Sequence, residues 1–413
     1  MSAKIPRPVL WILGFLLFLT IFRDLLANGR PLYCRIDGVA YFPGIRSILT
    51  NPERPFIEKQ LRDIQLIPDQ FEAWKNPANF DEPPVYAPIP FSPGEFSSRN
   101  QLRFGYPGKT HPGLPSEKFR HWLGTDAEGR DIAATIVSGA RIALLTGSVA
   151  MAAAFFIGLL LGTLAGFFGD DSLYLKRGTW LISLSGLPFA WFYAVTVRQW
   201  EKTDSPGGVF LSAAIFFGIM LLFFISGSVL SRLIWFSKKT PLPVDMLVMR
   251  IAEVFSSIPR LIVLVVLAVA LRGVADASVW LMTALIGVFS WTGVAKFVRA
   301  ELLRIRALDY VTAARGLGLS PSRILIRHAL PNAMRPVYIA FAFGAAGAVL
   351  LEAYLSFLGF GGAAFRGISW GSLFINENSA ANPLDTWWVT LFPGLMIFLA
   401  VSALNTLGEA LGE

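Results

Sequence analysis

Eight apolar runs separated by short polar or basic links constrain this chain more than any other feature. They extend from Val9 to Phe22, Ile142 to Phe168, Thr179 to Val197, Val209 to Phe236, Ile258 to Leu271, Ser278 to Phe297, Val337 to Leu358 and Trp387 to Leu407. A bilayer-crossing helix needs about 20 mostly apolar residues, and helices satisfy their own backbone polar groups where no water can. The runs predict an all-α integral membrane protein with about eight transmembrane helices. Hydrophobic residues make up 54% of the chain, with 34 Phe and 12 Trp, more than a soluble globule of 413 residues carries.

The net charge of +8 sits in short segments beside the apolar runs, as expected of cytoplasmic loops, and not in a basic-aromatic module of the kind that binds nucleic acid. One cysteine, Cys34, excludes an internal disulfide and a thiolate zinc site. Lys4 and Arg7 precede the first run and no small-residue cleavage site comes after it, so residues 1–22 read as an uncleaved signal anchor with a cytoplasmic N-terminus. Alternating loops then put Lys176 and Arg177, Lys238 and Lys239, and the Arg304 to Arg335 region inside as well. The opposite loops, holding Arg198, Glu201, Lys202 and Asp204, then Asp276, then Glu377 and Asp385, show no basic excess. Eight spans place both termini in the cytoplasm of an inner (plasma) membrane protein.

Residues 23–140 change composition abruptly, toward Pro, Gly, Asn and charge, with scattered aromatics such as Phe71, Trp74, Phe80, Tyr86 and Phe91. They predict a loop-rich extracytoplasmic insertion, with short strands around Val39 to Phe42.

Between the sixth and seventh runs lies YVTAARGLGLSPSRILIRHALPN, Tyr310 to Asn332, a basic polar helix pair among apolar spans. Gly318 suits a left-handed C-cap, Ser320 can cap the next helix, Pro321 fits its first position and Pro331 is expected to stop it. The segment resembles the cytoplasmic EAA loop of ABC-importer permeases, with Ala313, Ala314, Gly318, Leu330 and Pro331 in register. Thr312 replaces the usual Glu, and His328 stands at an apolar position of the general pattern that the peptide-importer branch often fills with His.

A narrower resemblance comes from Leu123 to Asp131, LGTDAEGRD, which is similar to the LGTDxxGRD signature of the dipeptide, oligopeptide and nickel importer permeases. Its family residues are Gly124, Asp126, Gly129, Arg130 and Asp131. Read chemically, Asp126 and Asp131 can cap a helix entry while Arg130 pairs a carboxylate. A calcium loop is the alternative, yet Gly129 and Arg130 break the alternation of oxygen ligands it requires. Glu352 to Gly361, Ser369-Trp370-Gly371 and Leu391 to Gly394 resemble the family's EAALSFLGLG, SWG and LFPG segments, in order and spacing. The stretch Asp245 to Pro259 resembles MRxxDxxxSxP, with Arg250 and Pro259 retained and Glu253 in the Asp position.

This resemblance implies a type I ABC importer permease fold with a family core of six spans. Core residues 141–169 would form its first span, and 245–413 would carry the rest, with the EAA-like loop at 301–335. Residues 170–244, absent from the usual family pattern, read as an inserted transmembrane hairpin that preserves the orientation of the later spans. The implied function is uptake of peptides or a related small solute, with nickel-chelate or modified-peptide uptake as alternatives. The implied partners are a second permease subunit in a heterodimer, two cytoplasmic ABC ATPase subunits and an extracytoplasmic solute-binding protein.

Mechanistic expectations complete the reading. No GxxxxGK[ST] phosphate loop is present, because Arg103 occupies the first-glycine position ahead of Gly108-Lys109-Thr110. The chain is therefore a transport subunit without its own ATPase site or cofactor, and ATP is used by partner subunits. Thr312, Ala313, Ala314, Arg315, Gly318, Arg323, Arg327, Leu330 and Pro331 would couple to them. Glu352 is the membrane-depth carboxylate that faces a pathway or a core, since such groups are costly in lipid. His111, His121 and His328 are too dispersed in sequence for a catalytic set, and the apolar runs are too free of charge for a proton-coupled secondary carrier.

Overall fold

The computed structural model describes residues 6–45, 61, 63–64, 70–95, 102–112, 114, 116–170, 174–197, 206–231, 239–270, 279–360, 368–375 and 383–412. Lys4, Arg198 to Asp204, Lys238, Asp276, Gly361 and Glu377, used above for orientation and family register, lie outside these residues. Two compact units divide the chain: Met1–Met151 with Ser278–Ile286 and Ala342–Glu413, and Ala152–Ala277 with Gly287–Phe341.

The first unit opens with α1 (Arg7–Ile21) and the short α2 (Arg23–Leu26), after which comes a loop-rich region. That region holds the hairpin β1 (Cys34–Ile36) and β2 (Val39–Tyr41), turned through Asp37 and Gly38 at positive φ, as a two-residue Asp-Gly turn demands. It also holds the single turn α3 (Gln70–Ala73) and the hairpin β3 (Lys109–Thr110) and β4 (Arg120–His121). Cys34, Ile36, Leu61, Ile64, Ala73 and Trp74 form a small core beneath the first hairpin. Burial pushes the Cys34 thiol up to about 11.

Helix α4 (Ile132–Thr163) begins the second apolar run, at Ile132 where the sequence reading placed its start at Ile142. Polar Thr135, Ser138 and Arg141 mask the first turns from a hydropathy reading, yet Thr135 and Ser138 are buried. Within this unit α13 (Trp370–Leu373), reached later in the chain, closes over α4. Trp370 Nε1 donates to the Ile136 carbonyl at 2.9 Å, and a Cβ at Gly139 would run into the Trp370 ring. The C-terminal α14 (Trp387–Gly412) packs against both α13 and α1.

The second unit contains the inserted residues. After a wide π-type turn at Leu164–Phe168, β5 (Tyr174–Lys176) pairs antiparallel with β6 (Lys239–Pro241), so the insertion is closed at its base by a two-stranded ribbon. Between them α5 (Arg177–Trp191) and α6 (Pro206–Leu230) form an antiparallel helical pair in which Gly186 and Gly227 allow close approach. Next come α7 (Val244–Ser257) and α8 (Arg260–Ala270), bent by 80° at Ile258 and Pro259. Helix α9 (Val279–Arg306) receives the glycine row Gly158, Gly162 and Gly166 of the second run, where any Cβ would come within 2.8 Å of Val294, Ala295 or Arg299. Small residues four apart let two helix backbones approach in lipid, where dispersion and not water exclusion drives association.

Four helices are long and apolar enough to cross a membrane: Ile132–Phe168, Leu281–Arg306, Pro321–Phe360 and Leu384–Gly412. Counted together as one broken span, the bent α7–α8 pair would make a fifth among the described residues. Arg7–Ile21 and Ala214–Leu230 are shorter apolar helices, so each of the eight expected runs falls on a helix although not all reach spanning length alone.

Two outcomes test these packing statements. Cys34 in the folded protein should resist maleimide at pH 8 and react fully in denaturant, because the thiolate is the nucleophile; stoichiometric labelling of the native protein would contradict its placement. Replacing Gly139 by Leu should cost about 1–3 kcal/mol through overpacking against Trp370, read as a lowered unfolding temperature in detergent, and an unchanged temperature would refute that contact.

Candidate functional site

The polar link between α9 and the seventh span folds as two short helices, both in the second unit. Helix α10 (Asp309–Gly316) ends in a Schellman motif: Leu319 N–H reaches the Ala314 carbonyl at 3.2 Å and Gly318 N–H the Arg315 carbonyl at 2.9 Å. That closure needs a left-handed residue, and Gly318 supplies it at φ 79°. Helix α11 (Pro321–Ile324) then starts with Pro321 in its first turn. Ser320 occupies the N-cap position, but its side chain makes no capping hydrogen bond, which corrects one expectation.

Pro331 does not stop the second helix, which is a larger correction. The helix runs through a wide π-type turn at Leu325–Ala329 directly into α12 (Leu330–Leu355). The Leu330 N–H bonds to the Leu325 carbonyl, five residues back, and this extra residue per turn falls where the proline ring would otherwise meet the preceding turn. Asn332 Nδ2 donates to the His328 carbonyl at 2.8 Å and to Tyr310 Oη at 3.3 Å, tying the span back to α10.

Of the residues singled out from sequence, Thr312, Ala313, Arg315, Gly318, Arg323, Arg327 and Pro331 are exposed. Leu330 is half-buried and Ala314 is buried, so Ala314 packs the elbow instead of facing outward. Two apolar side chains stand out among the arginines: Leu317 is 83% exposed and Ile326 is 67% exposed. Sequence reasoning missed both; the signal was an apolar residue next to the cap glycine and another on the arginine-bearing face.

The signature segment lies in the first unit and is built around two buried carboxylates. Asp126 accepts from the Glu128 and Arg130 N–H groups, each at 2.9 Å, and from Arg130 Nε at 2.7 Å. Asp131 Oδ1 accepts from Ala134 N–H at 2.7 Å, which makes it the N-cap of α4. Gly124, at φ 82°, brings its backbone so near Trp388 that a Cβ would sit 2.7 Å from Nε1, while that indole donates to the Thr125 carbonyl at 3.2 Å.

Asp131 Oδ2 also meets His121 Nδ1 at 2.8 Å, and His121 Nε2 lies 3.2 Å from His111 Nδ1. The expectation that the histidines are dispersed is therefore overturned for this pair: pairing of β3 with β4 brings residues ten positions apart into contact. His328 is on the elbow. Among the described residues no group of three His, Cys, Asp or Glu side chains is arranged to hold a metal ion.

Two further sites hold ionisable side chains. Glu352, buried on α12, accepts from Ser356 Oγ at 2.6 Å, and Ser369 also hydrogen-bonds it. In the second unit Arg299 grips both oxygens of Asp245, with Nη2 to Oδ2 at 2.6 Å, while Asp170 Oδ1 accepts the Asp245 and Met246 N–H groups at the start of α7. The sequence had marked Asp245 as the start of a family stretch but not these partners, which lie 54 and 75 residues away.

Residues 233–413 match the family described as Binding-protein-dependent transport system inner membrane component. The chain is similar to the inner membrane ABC transporter permease protein YejE of Escherichia coli (strain K12), 26% identical over 405 residues, 98% of this chain and 91% of that protein. It is similar to the peptidoglycan transport system permease protein YejE of Agrobacterium fabrum (strain C58 / ATCC 33970), 25% identical over 415 residues, 98% of this chain and 87% of that protein. The solved structure of the MetNI methionine ABC transporter, inward facing, aligns with a TM-score of 0.41 and 17% identity over 68% of this chain and 98% of that one. The apolar helices and these relatives make the chain a multi-pass inner membrane protein. With these matches, residues 233–413 carry the binding-protein-dependent transport inner membrane component, and the chain is an ABC-importer permease similar to relatives named as peptide permeases.

Proposed function

We propose that this permease subunit forms half of a translocation pathway for peptides and takes its energy from separate ATPase subunits seated on the elbow at Tyr310 to Asn332. The single observation that carries the coupling role is the elbow's surface: exposed Arg315, Arg323 and Arg327 share a short, glycine-capped helix pair with exposed Leu317 and Ile326. Apolar anchors within a charged rim are what a protein partner buries. Lipid headgroups would attract the arginines but give no reason for a turn whose backbone is fixed by two closing hydrogen bonds.

The elbow continues without a break into α12, so a push on it is delivered to a spanning helix. Docking couples nucleotide state to access only if the ATPase binds the inward- and outward-facing states with different affinity. In this reading the basic flanks put the elbow and both termini in the cytoplasm. A second permease subunit completes the pathway as a heterodimer, two ATPases bind ATP below it, and a solute-binding protein delivers cargo from the other side. Gly108-Lys109-Thr110, the one fragment reminiscent of a phosphate loop, is exposed, with Lys109 and Thr110 forming the two-residue strand β3.

Peptide cargo rests on the branch signature and on likeness along 98% of the chain to a permease named for peptidoglycan transport, which favours peptides of cell-wall origin within the class. Uptake assays with labelled cell-wall peptides, free peptides and nickel chelates in cells lacking the gene would decide the cargo: loss of nickel uptake alone would overturn the peptide reading.

Nothing lies within 4 Å of a Cβ added at Gly318, so substitution there acts through φ alone. Gly318→Val should distort the turn at about 1–2 kcal/mol, lowering ATPase retention on copurification by about tenfold and uncoupling transport while the spans remain inserted. Leu317→Ser should reduce retention in the same direction without changing permease stability, because the side chain is exposed. Normal ATP hydrolysis and transport by both variants would show that the elbow is not the docking element.

A further inference from the structure

We propose that the loop-rich region of the first unit carries a binding slot for the C-terminal residue of a short peptide, an apolar side chain beside a free carboxylate, in the cleft between the turn after α3 and the β3–β4 loop. The choice of a peptide rests on the cargo reading above, whereas the slot rests on its own walls.

The cleft has a volume of about 250 Å³, and Pro77, Pro83, Pro84, Tyr86 and Phe119 supply its apolar lining. Three stretches of chain contribute these residues, and each is held by its own hydrogen bonds. Asn76 accepts from the Ala78 N–H at 3.0 Å and so caps the short turn that begins at Pro77. Val85, between Pro84 and Tyr86, exchanges backbone hydrogen bonds with Tyr33 at 2.9 and 3.3 Å. The Phe119 N–H reaches the Ser116 carbonyl at 3.2 Å, and the Phe119 carbonyl accepts from the His111 N–H at 2.9 Å. Tyr86 meets Phe119 edge-on with ring centroids 5.2 Å apart, and its hydroxyl is committed to the Trp74 carbonyl at 2.8 Å. A ring bonded in this way offers a ligand its apolar face. Prolines hold φ fixed and present no N–H, so the walls are preformed. Sites that enclose a whole small molecule run from about 300 Å³ upward, so this cleft takes one large side chain.

Charge selects what that side chain is attached to. Lys75 also lines the cleft, but it is buried, with its ammonium 2.7 Å from Glu95 and 4.0 Å above the Phe71 ring, and its charge is matched within the fold. Lys118 is exposed and pairs with no carboxylate among the described residues. None of the lining residues is acidic. Ser116 Oγ accepts the Lys118 N–H at 3.2 Å, which leaves its hydroxyl proton to donate. One ammonium and one hydroxyl donor beside an apolar slot suit an anion carried on an apolar body. A residue inside a chain has no carboxylate beside its own side chain unless Asp or Glu comes next. A C-terminal residue always has one, and the rest of the peptide leaves through the open side.

The test uses the full transporter complex in nanodiscs and the probe N-acetyl-photoleucine, a small apolar side chain bearing a diazirine beside a free carboxylate. Its carboxamide is the control, and mass spectrometry locates the adducts after irradiation. The acid should label residues 75–86 and 116–119 saturably, with N-acetylphenylalanine competing. At subsaturating probe the carboxamide should label them about fivefold less, and Lys118→Glu should lower labelling by the acid about fivefold, the upper range for an exposed ion pair. Lys109→Glu makes the same charge change on exposed β3, away from the lining, and should leave labelling intact. Equal labelling by acid and carboxamide would overturn carboxylate recognition, as would unchanged labelling in Lys118→Glu or an equal loss in Lys109→Glu. Adducts absent from both stretches would overturn the slot. Labelling that is lost whenever the solute-binding protein docks without peptide would assign the cleft to that protein and overturn the peptide proposal too. Peptide uptake is measured separately, so failure of the slot leaves the cargo reading standing, and loss of that reading would leave acid-specific adducts in place.

Discussion

No water reaches a bilayer interior, so every backbone polar group there must be satisfied by its own segment, and the rest of this structure depends on that constraint. It explains why each apolar run folds as a helix and why the runs associate through glycine rows such as Gly158, Gly162 and Gly166. It also explains why a polar elbow can exist only where the chain leaves the lipid. The elbow meets the constraint locally, since the Schellman closure at Gly318 satisfies the last carbonyls of α10 within three residues.

The signature segment meets it in another way. Asp126 and Asp131 are both buried, which is expensive unless each oxygen has donors, and each has them: three from the Asp126 loop itself, and a helix cap and an imidazole for Asp131. Glycines at 124 and 129 allow the loop to turn so tightly, and Trp388 presses against it. The sequence LGTDAEGRD is thus the covalent record of a saturated hydrogen-bond knot at a helix entry, distinct in role from the exposed elbow.

Punctuation made the elbow legible in the sequence, because Gly318 and Pro321 act on their own backbone and need no distant partner. Pro331 misled for the same reason in reverse: its usual effect is to end a helix, and the wide turn at Leu325–Ala329 that accommodates it has no sequence mark of its own. The His111–His121 contact and the Asp170–Asp245–Arg299 set were illegible because each depends on strand pairing or on helices joined across a 75-residue separation. Exposed Leu317 and Ile326 were hidden by composition, since an apolar residue in an apolar chain draws no notice until its exposure is known.

Sidedness of the elbow is the point on which coupling turns. A single cysteine replacing Arg323, exposed on α11, can be labelled with a membrane-impermeant maleimide in intact spheroplasts and in inverted vesicles. Labelling confined to inverted vesicles, and blocked when ATPase subunits are present, is the predicted result. Labelling from the outer face of intact spheroplasts would contradict the account.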